Sequence, residues 1–291
     1  MNKNFVSIII PVYNSEKYLS SCLLSMVNQT YKKIEIICIE NGSNDNSYNI
    51  LKTFSKNYKN IKVINLKKPS LSNALNKGIK LSKGEFIARM DADDISHPKR
   101  IEKQIKFLKK RKDVSIVGTD INLIDENGNF LKKIKYPNKF KDLKKKLEID
   151  SFVAHPSVMM RKKIFSKLKG YRYQFCPAED YDLWLRALHY YKIENMGQTL
   201  LNYRQHSNKM GSVMDLQTIL GATYARELYF KRLKLKIKSE KIKFNRLVKM
   251  KDVINIGVKK HKIFIHLMNI IQKNKFKGFG YLKMLELIMT K

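Results

Sequence analysis

The first hundred residues alternate short β-branched runs with amphipathic stretches of helical length, and this alternation limits the fold more than any other feature. The expected strands and the helices between them are 6–12, 16–29, 34–39, 44–57, 61–66, 70–81 and 85–90. Strands that are apolar on both faces and separated by helices are typical of a parallel sheet covered by helices. The pattern therefore predicts an α/β fold.

The next part of the chain is expected to add antiparallel strands to this sheet. Pro98 suits the first turn of a helix that ends near Arg111. Strands are expected at 114–117 and 121–124, and the polar turn after them leads into a third strand at 130–134. The sequence thus predicts a mixed sheet flanked by helices.

Charge divides the chain unevenly. The whole sequence has 59 Lys and Arg against 25 Asp and Glu, a net charge of +34, yet its 43% hydrophobic content excludes general disorder. Residues 215–291 contain 19 basic and 5 acidic residues, about twice the charge density of the rest. We therefore predict a folded domain over 1–214 and a basic helical tail over 215–291.

Cysteine and apolar patterns point to the cytoplasm. Three cysteines are too few and too scattered for a disulfide framework or a paired zinc motif, which is typical of a reducing compartment. The longest late apolar stretch, Ile263 to Ile271, is far shorter than the ~20 residues of a membrane span. We expect a cytoplasmic chain without a transmembrane helix.

Acidic residues follow the fourth expected strand. Asp91 and Asp93 lie two apart on an extended segment, so their side chains project to the same side, at the sheet edge where α/β proteins bind ligands. A divalent cation would relieve their repulsion, and a simple helix-start cap is the alternative. The glycine-rich nucleotide motifs and the HExxH zinc motif are absent, which disfavours dehydrogenases, P-loop NTPases and zinc hydrolases.

A second acidic pair, Glu179-Asp180, opens a segment of helical pattern. Asp180 shares a helix face with Leu183 and Trp184, the face expected to pack inward. Asp180 is either an acid that stabilises the start of the helix or a base at the wall of a cleft. Trp184 is expected in the core.

Four strings together resemble family 2 glycosyltransferases over about residues 5–210. They are Val6-Ser7-Ile8-Ile9-Ile10-Pro11-Val12-Tyr13-Asn14, Ile36-Ile37-Cys38-Ile39-Glu40-Asn41-Gly42-Ser43, Met90-Asp91-Ala92-Asp93-Asp94 and Ala178-Glu179-Asp180. The resemblance implies the GT-A fold, a Rossmann-like sheet with a nucleotide-sugar-binding half over about 1–94 and an acceptor half over 95–214. It also implies transfer of a sugar with inversion at its anomeric carbon.

The resemblance assigns roles to individual residues. The donor-binding residues that it implies are Pro11, Val12, Tyr13, Asn14, Glu40, Asn41, Asn76, Asp91 and Ala92. Asn41 departs from the family pattern, which usually has an aspartate there. Its amide oxygen can still accept a hydrogen bond from uracil, but without a negative charge.

The same resemblance implies a metal and a base. Asp93 matches the ligand of a divalent cation, Mn²⁺ or Mg²⁺, and His206 in an Arg-x-His element is a further candidate ligand or a surface histidine. Asp180 matches the catalytic base. Glu179 and His155 match positions on the acceptor side.

The basic tail has three interpretations. Its cationic and apolar residues fit a helix on an anionic membrane surface, its charge fits nucleic acid, and a compositional bias towards lysine explains both without a function. We favour a peripheral role at the inner face of the membrane and expect no specific nucleic-acid partner.

The sequence as a whole predicts a metal-dependent inverting glycosyltransferase. The donor is expected to be a nucleotide sugar, with a UDP-sugar favoured, and the acceptor a glycan or a lipid-linked hydroxyl in surface polysaccharide or lipooligosaccharide synthesis. The alternatives are a nucleotidyltransferase that uses the same acid pair and a non-catalytic protein that binds membrane or nucleic acid.

Overall fold

The structure is a computed structural model that describes residues 2–206 and 216–234. The strands are β1 (Asn2–Val12), β2 (Ile34–Glu40), β3 (Ile61–Asn65), β4 (Gly84–Arg89), β5 (Ile95–Ser96), β6 (Val114–Ile124), β7 (Phe130–Ile134), β8 (Met159–Arg161) and β9 (Lys192–Arg204). The helices are α1 (Glu16–Val27), α2 (Ser47–Asn57), α3 (Leu71–Leu81), α4 (Arg100–Lys110), α5 (Phe140–Leu147), α6 (Ile164–Leu168), α7 (Glu179–Leu188) and α8 (Leu216–Lys234). Short 3-10 turns lie at His155–Ser157 and Tyr173–Phe175.

All the strands of the described residues form one mixed sheet in the order β3-β2-β1-β4-β8-β6-β9-β5, with β7 paired to the free side of part of β6. The first four strands are parallel, β8 is antiparallel to both β4 and β6, and β6 is parallel to β9. The chain order reverses at β1, which lies between β2 and β4. In open α/β sheets, ligands bind at the carboxyl ends of the strands beside such a reversal.

Alternating side chains bury both faces of the parallel strands. Ile10 lies in the same buried core as Leu23 of α1, whereas Ile39 packs in a second cluster with Ala74 of α3. Every residue of β2 is buried, which explains its nearly continuous apolar run. The helices on both faces hold the strand ends in place, and the predicted mixed α/β sheet flanked by helices is confirmed.

One predicted break in the sheet is wrong. The separate strands expected at 114–117 and 121–124 form the single strand β6. Gly118 and Asp120 stay paired with β9, opposite Asn195 and Thr199. The register between β6 and β9 is irregular around them, so one strand continues through the residues where the apolar pattern breaks.

The chain divides into two units, Met1–Arg226 and Glu227–Lys291. Residues 216–234 of the tail predicted for 215–291 form α8, and the rest of the tail lies outside the described residues, so the boundary near 214 and the helical character of that rest remain predictions. No helix within 2–206 and 216–234 is long and apolar enough to cross a bilayer.

Candidate active site

A cavity of about 1110 Å³ opens at the carboxyl ends of the central parallel strands. Eleven of the site residues expected from the sequence line it: Pro11, Tyr13, Asn14, Asn41, Asp91, Ala92, Asp93, His155, Glu179, Asp180 and His206. Residues from the ends of four strands and the start of α7 thus meet at one place. The cavity is the candidate active site.

The acids after β4 form a tight cluster. Each of Asp91, Asp93 and Asp94 offers one oxygen, and these oxygens all lie within 4.8 Å of one another. Arg89, the buried last residue of β4, holds the Asp91 carboxylate through both of its terminal nitrogens at 2.5 Å. His206 Nε2 lies 2.9 Å from Asp93 Oδ2. Arg89 therefore holds Asp91 in a fixed position, and His206 does the same for Asp93.

The end of β9 fastens this acidic loop. The Arg204 backbone N–H donates to Asp94 Oδ1 at 3.0 Å, and its Nε donates to the Asp93 carbonyl at 2.9 Å. The Arg204 guanidinium also lies 4.6 Å from the centre of the Tyr18 ring, and the His206 ring is 4.9 Å from the same ring. Tyr18 on α1 thus supports both members of the Arg-x-His element.

Glu179 and Asp180 stand in the first turn of α7 and line the same cavity. Burial raises the pKa of Asp180 above its ordinary value, and the nearby positive charge of Arg89 opposes that rise. Burial, reinforced by the charge of Asp180, also raises the pKa of Glu179. Glu179 is only 2% exposed, and among the described residues its Oε2 atom has no hydrogen-bond partner. Both carboxyl groups are suited to proton exchange near neutral pH.

Asp182, also in the first turn of α7, stabilises the fold. It forms a buried ion pair with Arg186 at 2.7 Å, one helical turn on. Arg186 also donates to the Leu168 and Gly170 carbonyls at 2.5 and 2.9 Å. Asp180 is not part of this ion pair: it lines the cavity, and its Oδ1 accepts from the Tyr181 backbone N–H at 2.7 Å.

At the ends of β1 and β2, two asparagines line the cavity and shape its loops. Asn14 has a positive φ of 46°, and its Oδ1 accepts from the Asn44 N–H at 2.9 Å. Asn41 Oδ1 accepts from the Ser70 N–H at 2.9 Å, at the start of α3. Both residues therefore join neighbouring loops at the ends of β1 and β2.

Three residues expected to bind donor do not line the cavity. Val12 is fully buried in the core. The buried Glu40 carboxylate accepts from the backbone N–H groups of Gly42 and Ser43 at 3.2 and 2.6 Å, so it shapes the turn after β2. Asn76 exchanges two hydrogen bonds of 2.8 Å with the backbone of Tyr171. These side chains support the cavity from behind its walls.

His155, in the 3-10 turn before β8, also lines the cavity. Its Nε2 lies 2.9 Å from the Tyr171 hydroxyl, and its ring meets the edge of Trp184. Burial, with a contribution from Arg89, lowers the pKa of His155 well below its ordinary value, which keeps the ring neutral. Trp184 is fully buried, as expected.

The sequence did not predict three residues that hold the site residues in place: Arg89, Arg204 and Tyr18. The sequence did contain a signal for Arg89, because an arginine at the end of a buried strand is unusual without a partner, and acids begin two residues later, at Asp91. Arg204 stood within the Arg-x-His element, but only its histidine was expected to act. Tyr18 gave no signal, because an aromatic residue in a helix more often packs in a core.

The acid cluster fits a divalent cation. Carboxylate oxygens and an imidazole nitrogen are ligands that Mn²⁺ accepts, and carboxylates suit Mg²⁺. Asp93 and His206 are the residues that would hold the ion. Both oxygens of Asp91 already bind Arg89, which makes it the weaker candidate ligand.

A mixed sheet flanked by helices, with clustered acids after its fourth parallel strand, defines the GT-A class of glycosyltransferase folds. The fold is similar to that of S. aureus TarS 1-349 in complex with UDP-GlcNAc, with a TM-score of 0.65 and 19% identity over 81% of this chain and 68% of that chain. The sequence model described as "Glycosyl transferase family 2" matches residues 7–169. The chain belongs to this family.

Two proteins of similar sequence are also glycosyltransferases by description. The chain is 39% identical over 210 residues to the O-antigen biosynthesis glycosyltransferase WbnJ of Escherichia coli, which covers 70% of this chain and 81% of the relative. It is 37% identical over 209 residues to the uncharacterized glycosyltransferase MJ1057 of Methanocaldococcus jannaschii, covering 70% and 72%.

Proposed function

We propose that the protein transfers a sugar from a nucleotide-sugar donor to an acceptor hydroxyl with inversion, in surface polysaccharide or lipooligosaccharide synthesis. The observation that carries this proposal is that one cavity unites the acid cluster after β4 with Asp180 on α7. A UDP-sugar is the favoured donor, since the similar TarS structure contains UDP-GlcNAc. The similarity to an O-antigen glycosyltransferase supports a glycan acceptor.

The nucleotide is proposed to bind between β1 and α3. Tyr13 is 47% exposed at the cavity wall and can pack against the base. Asn41 Oδ1 has already accepted one hydrogen bond, from Ser70, and its second lone pair can accept the N–H of uracil. Because Asn41 is uncharged, the contact is weaker than one to a carboxylate.

Asp180 is proposed to act as general base. It takes the proton from the acceptor hydroxyl while that oxygen bonds to the anomeric carbon, and the bond from this carbon to the diphosphate oxygen breaks. The electron pair of the broken bond stays with the nucleoside diphosphate. Arg89 binds Asp91 directly, and its positive charge opposes the rise in the pKa of Asp180 that burial causes.

The proposed cation would be held by Asp93 and His206, close to the leaving diphosphate. When bound, a divalent cation supplies Lewis-acid stabilisation of the charge on the leaving group. The carboxylate of Asp93 lies beside the imidazole of His206, with Oδ2 and Nε2 2.9 Å apart. We propose Mn²⁺ or Mg²⁺ dependence on this basis.

Donor hydrolysis tests the reaction class. We expect the protein with Mn²⁺ to hydrolyse a UDP-sugar at least about tenfold faster than GDP- or CMP-sugars, because nucleotide sites discriminate by hydrogen bonds to the base. The release of nucleoside diphosphate is the measurement, and the Asp180→Asn variant is the control. Formation of a nucleotide sugar from a nucleoside triphosphate and a sugar phosphate would instead establish a nucleotidyltransferase.

The pH profile should show the raised pKa of Asp180. Since the base must be ionised, kcat/KM should fall as the pH drops through that raised pKa, with an inflexion above the ordinary aspartate value of about 4. The measurement is UDP-sugar turnover against pH, with the melting temperature recorded over the same range to exclude unfolding. A profile that stays flat down to about pH 4 contradicts the assignment.

A cytoplasmic location, with peripheral attachment to the inner face of the membrane through the basic tail, is also proposed. The charge density of 215–291 supports it. The residues that would make this contact are almost all outside the described part of the chain.

A further inference from the structure

The hairpin of β6 and β7 carries an unusual exposed surface. Phe130 is 63% and Leu131 is 51% exposed, and they are the only consecutive pair of exposed large apolar residues in the described part of the chain. Lys132 and Lys133 follow them directly and are exposed as well. Successive strand residues point to opposite faces, so these four residues flank the outer edge of β7 on both faces of the sheet, and they are termed the β7 patch.

The surrounding segment is strongly cationic. Residues 130–146 contain eight lysines and a single acid, Asp142. Lysines on an edge strand discourage pairing with other sheets, and such a role would account for Lys132 and Lys133. It does not account for Phe130 and Leu131, since exposed apolar residues on an edge strand favour association. Apolar side chains beside lysines are instead typical of contact with anionic lipid headgroups.

A comparison within the chain separates this surface from the general lysine excess. The region of α4 is about as basic, with eight Lys and Arg against one acid over 99–112. No large apolar side chain is exposed on α4. The β7 patch thus has exposed lysines together with exposed large apolar side chains, whereas the basic run at 99–112 has no exposed large apolar side chain.

The β7 patch also adjoins the candidate active site. Ile134 at the end of β7 and Tyr136 just beyond it line the cavity, and so does Glu126 in the hairpin turn. Glu126 is joined to Lys17 of α1 at 2.8 Å, and the carbonyls of the turn accept from Arg204. The hairpin is therefore fixed to the cavity wall through its turn and the end of β7, whereas the edge of β7 that faces away from β6 pairs with no other strand of the described residues.

We infer that the β7 patch docks on an anionic bilayer surface, with Phe130 and Leu131 entering the headgroup region and the lysines pairing with lipid phosphates. This contact places the mouth of the cavity next to the membrane, where a lipid-linked acceptor would be presented. The inference concerns where the chain binds and does not depend on the reaction proposed above.

Vesicle flotation of the full chain tests the inference. The wild type should bind vesicles of phosphatidylglycerol and phosphatidylcholine and bind pure phosphatidylcholine weakly. Lys132→Glu/Lys133→Glu should weaken binding at least about 30-fold, because each lysine near an anionic surface contributes roughly fivefold. Phe130→Ser/Leu131→Ser should weaken it at least about tenfold through lost apolar burial. Lys109→Glu/Lys110→Glu, on the exposed end of α4, makes the same charge change and should bind nearly as the wild type.

Two further measurements distinguish a loss of membrane docking from a loss of folding or of activity. Melting temperature and donor hydrolysis should be unchanged in all the variants, because the substituted side chains are exposed and outside the cavity. Equal weakening by the β7 and α4 lysine variants would overturn the inference in favour of general charge attraction. Unchanged binding of Phe130→Ser/Leu131→Ser, together with RNA competing fully with the vesicles, would overturn it in favour of a nucleic-acid surface.

Discussion

Replacing Asp180 by asparagine is expected to lower kcat by about 10²- to 10⁴-fold, the usual contribution of a general base. The substitution keeps the size of the side chain and removes the group that takes the acceptor proton. Because Asp182 and Arg186 form the buried ion pair of α7, the fold should remain stable without the Asp180 carboxylate. Steady-state transfer rates and a thermal melt of the same sample provide the measurement.

Asp142→Asn is a matched control for this experiment. Asp142 also lies in the first turn of a helix, α5, but its side chain is exposed and outside the cavity. The control should keep the wild-type rate within about twofold, since exposed substitutions away from a site have small effects. Activity of Asp180→Asn close to that of the control would contradict the assignment. Loss of activity in Glu179→Gln alone would transfer the role of base to Glu179.

Sequence patterns were sufficient for the parallel half of the sheet. Strands buried on both faces have continuous apolar runs, and the helices between them carry clear periodicity, so β2 is expected at 34–39 and found at Ile34–Glu40. The antiparallel half was harder. Pairing of β6 with β9 joins residues about 80 apart, and no local pattern shows that Gly118 and Asp120 continue a strand.

Motif matching located the cavity but did not show what each side chain binds. Glu40 and Asn76 match donor-site positions, yet backbone groups of the chain itself occupy their side chains. These contacts depend on the path of turns and of distant segments, such as Tyr171, which is 95 residues from Asn76. Arg89 was missed for a similar reason, because its partner, Asp91, was interpreted only as a ligand-binding residue.

The second large effect is expected for Asp93→Asn. Asp91 is already occupied by Arg89, so the proposed cation depends mainly on the Asp93 carboxylate and on His206. Removing the charge of Asp93 should lower kcat/KM at least about 100-fold, consistent with the several kcal/mol that metal stabilisation supplies. It should also raise the Mn²⁺ concentration needed for half-maximal activity. Asp142→Asn is again the control and should change neither quantity.

Titration with Mn²⁺ distinguishes a role of Asp93 as a metal ligand from a purely structural role. If Asp93 only holds the loop through His206, His206→Gln and Asp93→Asn should lower the melting temperature without changing the Mn²⁺ requirement. If Asp93 is a ligand, added Mn²⁺ should partly restore the activity of Asp93→Asn, because an amide oxygen is a weaker ligand than a carboxylate. Full wild-type activity after exhaustive chelation would contradict metal dependence itself. In that case the positive charge near the leaving diphosphate must come from the protein, and Arg204, with its guanidinium beside Asp93 and Tyr18, is the residue to test next.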